Sequence, residues 1–213
     1  MKRILAPILL LTLLFPSLAQ GQSLDEWIGK GKGLLGKGKG YLCETTGVGC
    51  PESVDFKDLV KRDGLYFKRR TDVPFTGITT GDEQGSIDNG RKVGTWLNYW
   101  SNGQLNSKGT YKDGKRDGSW VKYYDNGRLE RKGTYKDGKR YGPWVTFTTS
   151  GHLYSKETYK DGKKNGSYVR YFANGQVWEK GTYKNDKREG LWFFYAMDRS
   201  MYKFTYKNGV KVK

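Results

Sequence analysis

From Gly85 to the C-terminus the chain repeats with a period of 24 residues, and that period restricts the fold before any single side chain does. Gly109-Thr-Tyr-Lys-Asp-Gly-Lys-Arg-Asp-Gly-Ser-Trp120 aligns with Gly133-Thr-Tyr-Lys-Asp-Gly-Lys-Arg-Tyr-Gly-Pro-Trp144. Glu157-Thr-Tyr-Lys-Asp-Gly-Lys-Lys-Asn-Gly-Ser-Tyr168 and Gly181-Thr-Tyr-Lys-Asn-Asp-Lys-Arg-Glu-Gly-Leu-Trp192 follow in register, and a worn copy ends at Trp96. A fixed period of this size marks an array in which each unit buries its apolar surface against its neighbours. Such arrays commonly serve as binding surfaces.

Within one period the signals are strands and turns. Asp-Gly and Asn-Gly tolerate positive φ and suit the twist of antiparallel strands. They recur as Asn89-Gly90, Asp113-Gly114, Asp137-Gly138 and Asp161-Gly162 on one edge, and as Asn102-Gly103, Asn126-Gly127 and Asn174-Gly175 on the other. Aromatic and β-branched runs such as Trp120-Val-Lys-Tyr-Tyr124 lie between them, so each repeat reads as one β-hairpin. Pro143 falls at a strand start, where it is tolerated. The fold expected is all-β: an elongated, single-layer antiparallel β-meander, preceded by a short segment of marginal helical pattern.

Strand alternation places Trp96, Trp120, Trp144, Tyr168 and Trp192 in one column, on the face of Trp100, Tyr124 and Phe172. Tyr99, Tyr123, Phe147, Tyr171 and Tyr195 point the other way, beside Leu97, Val121, Val145, Val169 and Phe193. The returning strands add Leu105, Leu129, Leu153 and Val177, and a column of Tyr111, Tyr135, Tyr159 and Tyr183. These ladders are read as the core; a carbohydrate-stacking platform is the sharper alternative, because a single layer leaves one face wet. Gly94, Gly118, Gly142, Gly166 and Gly190 require a turn or a close approach and no chemistry.

The repeated Gly-Thr-Tyr-Lys-Asp-Gly-Lys-x-x-Gly-x-Trp-x-x-Tyr-Tyr-x-Asn-Gly pattern resembles the MORN repeat, and more particularly the bacterial MORN-variant repeats of the YwqK-like antitoxin family. Arg62-Asp-Gly-Leu-Tyr-Phe-Lys68 and Val73-Pro-Phe-Thr-Gly77 look like that family's opening, so the resemblance spans roughly residues 60 to 213. It implies an interaction module and says little of the partner. In the last copy Asp198-Arg199-Ser200 replaces Asn-Gly, as expected of a terminal, edge-capping unit.

Three segments follow from the remaining signals. Residues 1–19 read as a secretory leader: Met1-Lys2-Arg3, a short apolar run to Phe15, and Ser17-Leu-Ala19. Its removal takes Lys2 and Arg3 and no acid, so the net charge of +17 falls to +15 in an exported, periplasmic or secreted protein. Residues 20–59 hold Ser23-Leu-Asp-Glu26, a helix capping box, then apolar residues at helical spacing with lysines and glycines between them. That segment reads as a cap on the first sheet edge, a disordered linker, or a cationic stretch on anionic lipid. Cys43 and Cys50, seven apart in an exported chain, are expected to form a local disulfide. Residues 60–213 form the array.

The most distinctive surface feature is charge. The turns of one edge carry Arg91-Lys92, Lys115-Arg116, Lys139-Arg140, Lys163-Lys164 and Lys187-Arg188, thickened by Lys112, Lys136, Lys160 and Lys184. Equivalent turns should recur about every 10 Å. The column reads either as solubility and protection against edge pairing or as a ridge for an acidic partner or polyanion. Strand twist would wind the ridge, which suits a protein or a patchy surface better than a straight duplex. Nucleic acid is therefore not expected as a partner. No catalysis, metal or cofactor is expected either: the acids sit in turns or strand edges, and His152 stands without a partner motif. An acidic protein partner in the envelope or outside the cell is the leading reading, with anionic lipid or glycan the alternative.

Overall fold

The computed structural model describes residues 51–212. The leader, the capping-box segment and Cys43 and Cys50 lie outside the described residues. The strands are β1 (Ser53–Asp55), β2 (Leu59–Arg62), β3 (Leu65–Lys68), β4 (Gly77–Thr80), β5 (Glu83–Asp88), β6 (Arg91–Tyr99), β7 (Leu105–Lys112) and β8 (Lys115–Tyr123). They continue as β9 (Leu129–Lys136), β10 (Lys139–Phe147), β11 (Leu153–Lys160), β12 (Lys163–Tyr171), β13 (Val177–Lys184), β14 (Lys187–Tyr195), β15 (Met201–Lys207) and β16 (Val210–Lys211). Fourteen of them form one sheet, and from β4 to β16 each strand pairs antiparallel with the next in sequence. The expected meander is present.

The first edge differs from a pure meander. β1 pairs parallel with β4, because a 3-10 turn (Phe56–Asp58) and the separate β2–β3 hairpin intervene and return the chain in its original direction. The sheet thus recruits residues ahead of position 60.

The two edges use different turns. At Asn89-Gly90, Asp113-Gly114, Asp137-Gly138 and Asp161-Gly162 both residues have positive φ, as a two-residue I′ hairpin requires. On the opposite edge a single residue takes positive φ, glycine at Gly103, Gly127, Gly151 and Gly175 and Arg199 in the last turn. There the asparagine works through its side chain: Asn102 Oδ1 accepts from Gln104 N–H at 3.0 Å, and Asn102 Nδ2 donates to the Asp125 carbonyl of the next repeat at 2.9 Å. The I′ turns also lean on their predecessors. Gly114, Gly138 and Gly162 donate backbone N–H groups to the carbonyls of Lys92, Arg116 and Arg140 at 3.0, 2.8 and 3.0 Å.

A single layer has no second sheet to bury its rings, and the array solves this within its own thickness. Gly94, Gly118, Gly142, Gly166 and Gly190 sit at positive φ inside their strands, at local bulges that precede each ring of the Trp column. The rings of Trp96, Trp120, Trp144 and Trp192 then lie against Gly85, Gly109, Gly133 and Gly181 of the preceding strand. A Cβ added at Gly133 would stand 2.3 Å from Trp144 Cδ2. The Tyr column fills the gaps edge-on: Trp96, Tyr111, Trp120, Tyr135, Trp144 and Tyr159 follow one another at centroid distances of 5.1–6.2 Å, near perpendicular. All four tryptophans are buried, Trp96 and Trp192 completely.

One repeat breaks the rule in a compensated way. Glu157 stands where the others have glycine, and the residue paired with it is Tyr168, not tryptophan. Glu157 accepts from Tyr159 Oη at 2.5 Å and pairs with Lys164 at 3.1 Å. Burial, with the Glu157 carboxylate adding to it, pushes the Tyr159 phenol up to about 12. At the first end the ladder is closed by Leu59, Phe75 and Ile87 with Phe56 and Tyr66 against Trp96. At the last end Tyr206 and Phe194 pack on Trp192.

Two predictions follow from this packing. Truncating Trp144 to Ala should cost roughly 3–5 kcal/mol in urea unfolding. Gly133→Glu alone should cost about 1–3 kcal/mol by overpacking. The double variant Gly133→Glu/Trp144→Tyr, which copies the Glu157–Tyr168 pair, should cost clearly less than the sum of its single changes; simple additivity would break the ring-on-glycine account. For Tyr159, the unfolded phenol ionises near 10 while the folded one keeps its proton to about 12. Its contribution to stability therefore falls as pH rises through that window. Alkaline absorbance titration should show one late tyrosinate fewer in Tyr159→Phe.

Candidate interaction surface

The basic pairs of the turns do not form one ridge, and this corrects the sequence expectation. The first member of each pair, Arg91, Lys115, Lys139, Lys163 and Lys187, is exposed at the edge. The second member, Lys92, Arg116, Arg140, Lys164 and Arg188, folds over the ladder. Their charged ends lie 3.9, 4.0, 4.6, 4.9 and 4.4 Å from the ring centroids of Trp96, Trp120, Trp144, Tyr168 and Trp192. The reason is the pleat: neighbours along a strand point to opposite faces, so only one of two consecutive cations can remain outside. Each ring is thus held between backbone or glycine below and a cation above, and the cation–π contact closes it. With the tryptophans at most 5% exposed, no ring face is open for sugar stacking, which removes the platform reading for the Trp column.

Three of these five cations also meet a carboxylate on the same face. Glu83 lies 2.5 Å from Lys92, Glu157 3.1 Å from Lys164, and Glu179 2.7 Å from Arg188. Lys92 is the most enclosed, within reach of Phe56, Tyr66, Trp96 and Tyr111. Burial lowers its affinity for the proton, and Glu83 acts in the opposite direction. Arg116 and Arg140 instead donate to the phenol oxygens of Tyr135 and Tyr159 at 3.2 and 3.0 Å. Glu130 bridges Lys122 and Arg131, both at 2.9 Å. His152 sits in an exposed turn with Nδ1 3.0 Å from Ser150 Oγ.

The opposite face carries a feature that the aromatic pattern hid. Register pairs run unbroken as Leu97–Lys108–Val121–Lys132–Val145–Lys156–Val169–Lys180–Phe193–Lys203, one residue per strand from β6 to β15. Lys132, Lys156, Lys180 and Lys203 are exposed, and none of the ion pairs among the described residues involves them. Lys180 lies over Phe193 and Tyr195, which places those rings on the same face. Alternation adds the exposed Lys112, Lys136, Lys160, Lys184 and Lys207, four positions further along each strand. The signal was present in the sequence, since Lys108, Lys132, Lys156 and Lys180 recur at the repeat period. It becomes legible only once a strand register sets them in a row with the aliphatic residues.

The exposed lysines of the repeats therefore lie on one edge and one face, while the ring face is closed by its own arginines and lysines. The repeat itself has relatives. The MORN repeat variant matches at residues 92–113, 116–137, 140–161 and 164–185. No curated protein is significantly similar to the chain. Among solved structures, a chain in the crystal structure of a GtfA/B complex bound to UDP and GlcNAc is 13% identical, with a TM-score of 0.19. The likeness covers 74% of this chain but only 27% of that one, and it carries no argument about function. Residues 92–185 of this sheet are thus four tandem copies of the MORN repeat variant.

Proposed function

We propose that the array is a non-enzymatic module that binds an acidic protein partner across its lysine-bearing face and the adjoining turn edge. One observation carries this reading: the alternating apolar–lysine row crosses ten strands, and its exposed lysines Lys132, Lys156, Lys180 and Lys203 have no carboxylate of the described residues within ion-pair distance. Lysines recur there about every 10 Å beside apolar side chains. Such a surface offers charge for steering and apolar area for adhesion, the two components of a protein interface. The carboxylates of the ring face are consumed by neighbouring cations, which favours binding over catalysis. An antitoxin-like or immunity-like role, in which the partner is sequestered, belongs to the same proposal and rests on the resemblance of the repeat pattern. So does action outside the cytoplasm, which rests on residues 1–19.

The test is a triple charge reversal, Lys132→Glu/Lys156→Glu/Lys180→Glu, with the turn variant Lys115→Gln/Lys139→Gln/Lys163→Gln beside it. Partner capture from the envelope fraction should drop at least about tenfold in the triple reversal while the thermal midpoint is kept, with a smaller loss in the turn variant. Undiminished capture by the triple reversal removes this face from the interface. Sedimentation of wild type with anionic vesicles at low salt, lost in the triple reversal without any captured protein, would replace the protein partner by a lipid surface.

A further inference from the structure

The ring face holds one place where the repeat withdraws its own counter-charge. Glu83 stands nine positions before Lys92 and Glu179 nine before Arg188, and each reaches the cation that covers the ring. The corresponding positions before Arg116 and Arg140 are Ser107 and Arg131. The carboxylate is thus missing at Ser107 and replaced by a further cation at Arg131; it is also missing at Ser155, nine before Lys164, but there Glu157 meets the cation instead. Ser107, Arg116, Lys122, Arg131, Tyr135 and Arg140 line an open recess of about 230 Å³ at the centre of the array. Four of these six residues are cations, and among the described residues their ion-pair partner is Glu130, shared by Lys122 and Arg131.

We infer that this central recess binds a phosphate-class oxyanion, which takes the place that Glu83 and Glu179 hold in the outer repeats. Arg116 and Arg140 are preorganised for it. Each guanidinium is seated on a tryptophan ring, at 4.0 and 4.6 Å, and oriented by a phenol oxygen that takes only part of its five N–H donors. Lys122 and Arg131 remain partly exposed, at 29% and 32%, so a ligand can reach them from solvent. Three positive charges stay uncompensated after Glu130, which matches a phosphate dianion better than a single carboxylate. The ligand is thus a phosphorylated or sulfated small molecule, or such a group on a larger one; the recess reads the oxyanion.

The experiment uses the full chain and inorganic phosphate, titrated calorimetrically and by thermal unfolding at constant ionic strength, with acetate as the singly charged comparison. Saturable binding is expected, with a raised unfolding midpoint and weaker binding of acetate. Arg131→Glu recreates the outer-repeat arrangement. It should lower phosphate affinity at least tenfold and raise the midpoint of the unliganded protein, a gain that mere structural damage would not produce. Ser107→Glu, beside Arg116, should show the same loss and serves if Arg131→Glu folds poorly. The turn variant Lys115→Gln/Lys139→Gln/Lys163→Gln should bind phosphate like wild type. Absence of a saturable phosphate effect in wild type, unchanged affinity in both glutamate variants, or loss of binding in the turn variant would each overturn the assignment.

Discussion

Everything in this sheet depends on how a tryptophan is buried in one layer. Apolar rings must leave water, yet among the described residues, apart from the β2–β3 hairpin at the first end, no second layer lies over the array to receive them. The solution is a stack within each repeat: a glycine or bare backbone underneath, the ring flat upon it, tyrosine edges on either side, and an arginine or lysine above. Because the tyrosine of one repeat fills the gap beside the tryptophan of the next, no repeat completes its ladder alone. The special pieces at the two ends follow from this. Phe56, Leu59 and Tyr66 close the ladder at Trp96, and Phe194, Phe204 and Tyr206 close it beyond Trp192.

The same stack sorts the cations by role. A chain with this many lysines and arginines could carry them as an undifferentiated coat. Instead the pleat divides each turn pair, sending Arg140 onto Trp144 and leaving Lys139 at the edge. The inner cations are then partly desolvated and need oxygen partners, which Glu83, Glu157 and Glu179 supply in three repeats and phenols in the other two. Variation between repeats therefore has electrical consequences: exchanging Glu83 for Ser107 or Arg131 at one periodic position moves the centre of positive charge along the array. The outer lysines follow a different logic. They are solvated, evenly spaced and separated by aliphatic side chains, a pattern suited to contact with a second surface.

The coupling between Glu157 and Tyr168 shows how strict the stack is. A side chain at the glycine position leaves no place for an indole, and the chain carries the smaller phenol there, with Glu157 turned toward Tyr159 and Lys164. At Asn185-Asp186 an I′ turn lacks its glycine, and Asp186 takes positive φ while its carboxylate accepts the Lys164 N–H at 2.7 Å. Each departure from the repeat carries its own local compensation.

The sequence by itself determined the all-β class, the 24-residue hairpin, the alternation of faces and the positive-φ turns of one edge, because these depend on local conformational preference and on a period that survives without knowledge of neighbours. It also determined the ring columns, which follow from the period alone. Three things were decided only in the tertiary structure. Strand register decided that Gly109, Gly133 and Gly181 lie beneath the rings, a role invisible when Gly118 and Gly142 stood out as the turn-like glycines. Register also aligned Lys132, Lys156 and Lys180 with Val121, Val145 and Val169 in one row. And the fate of Arg116 against that of Lys115, adjacent residues of like charge, depended on which face of the pleat held the tryptophan. A sequence places residues along a strand, whereas burial and pairing are properties of what lies across it.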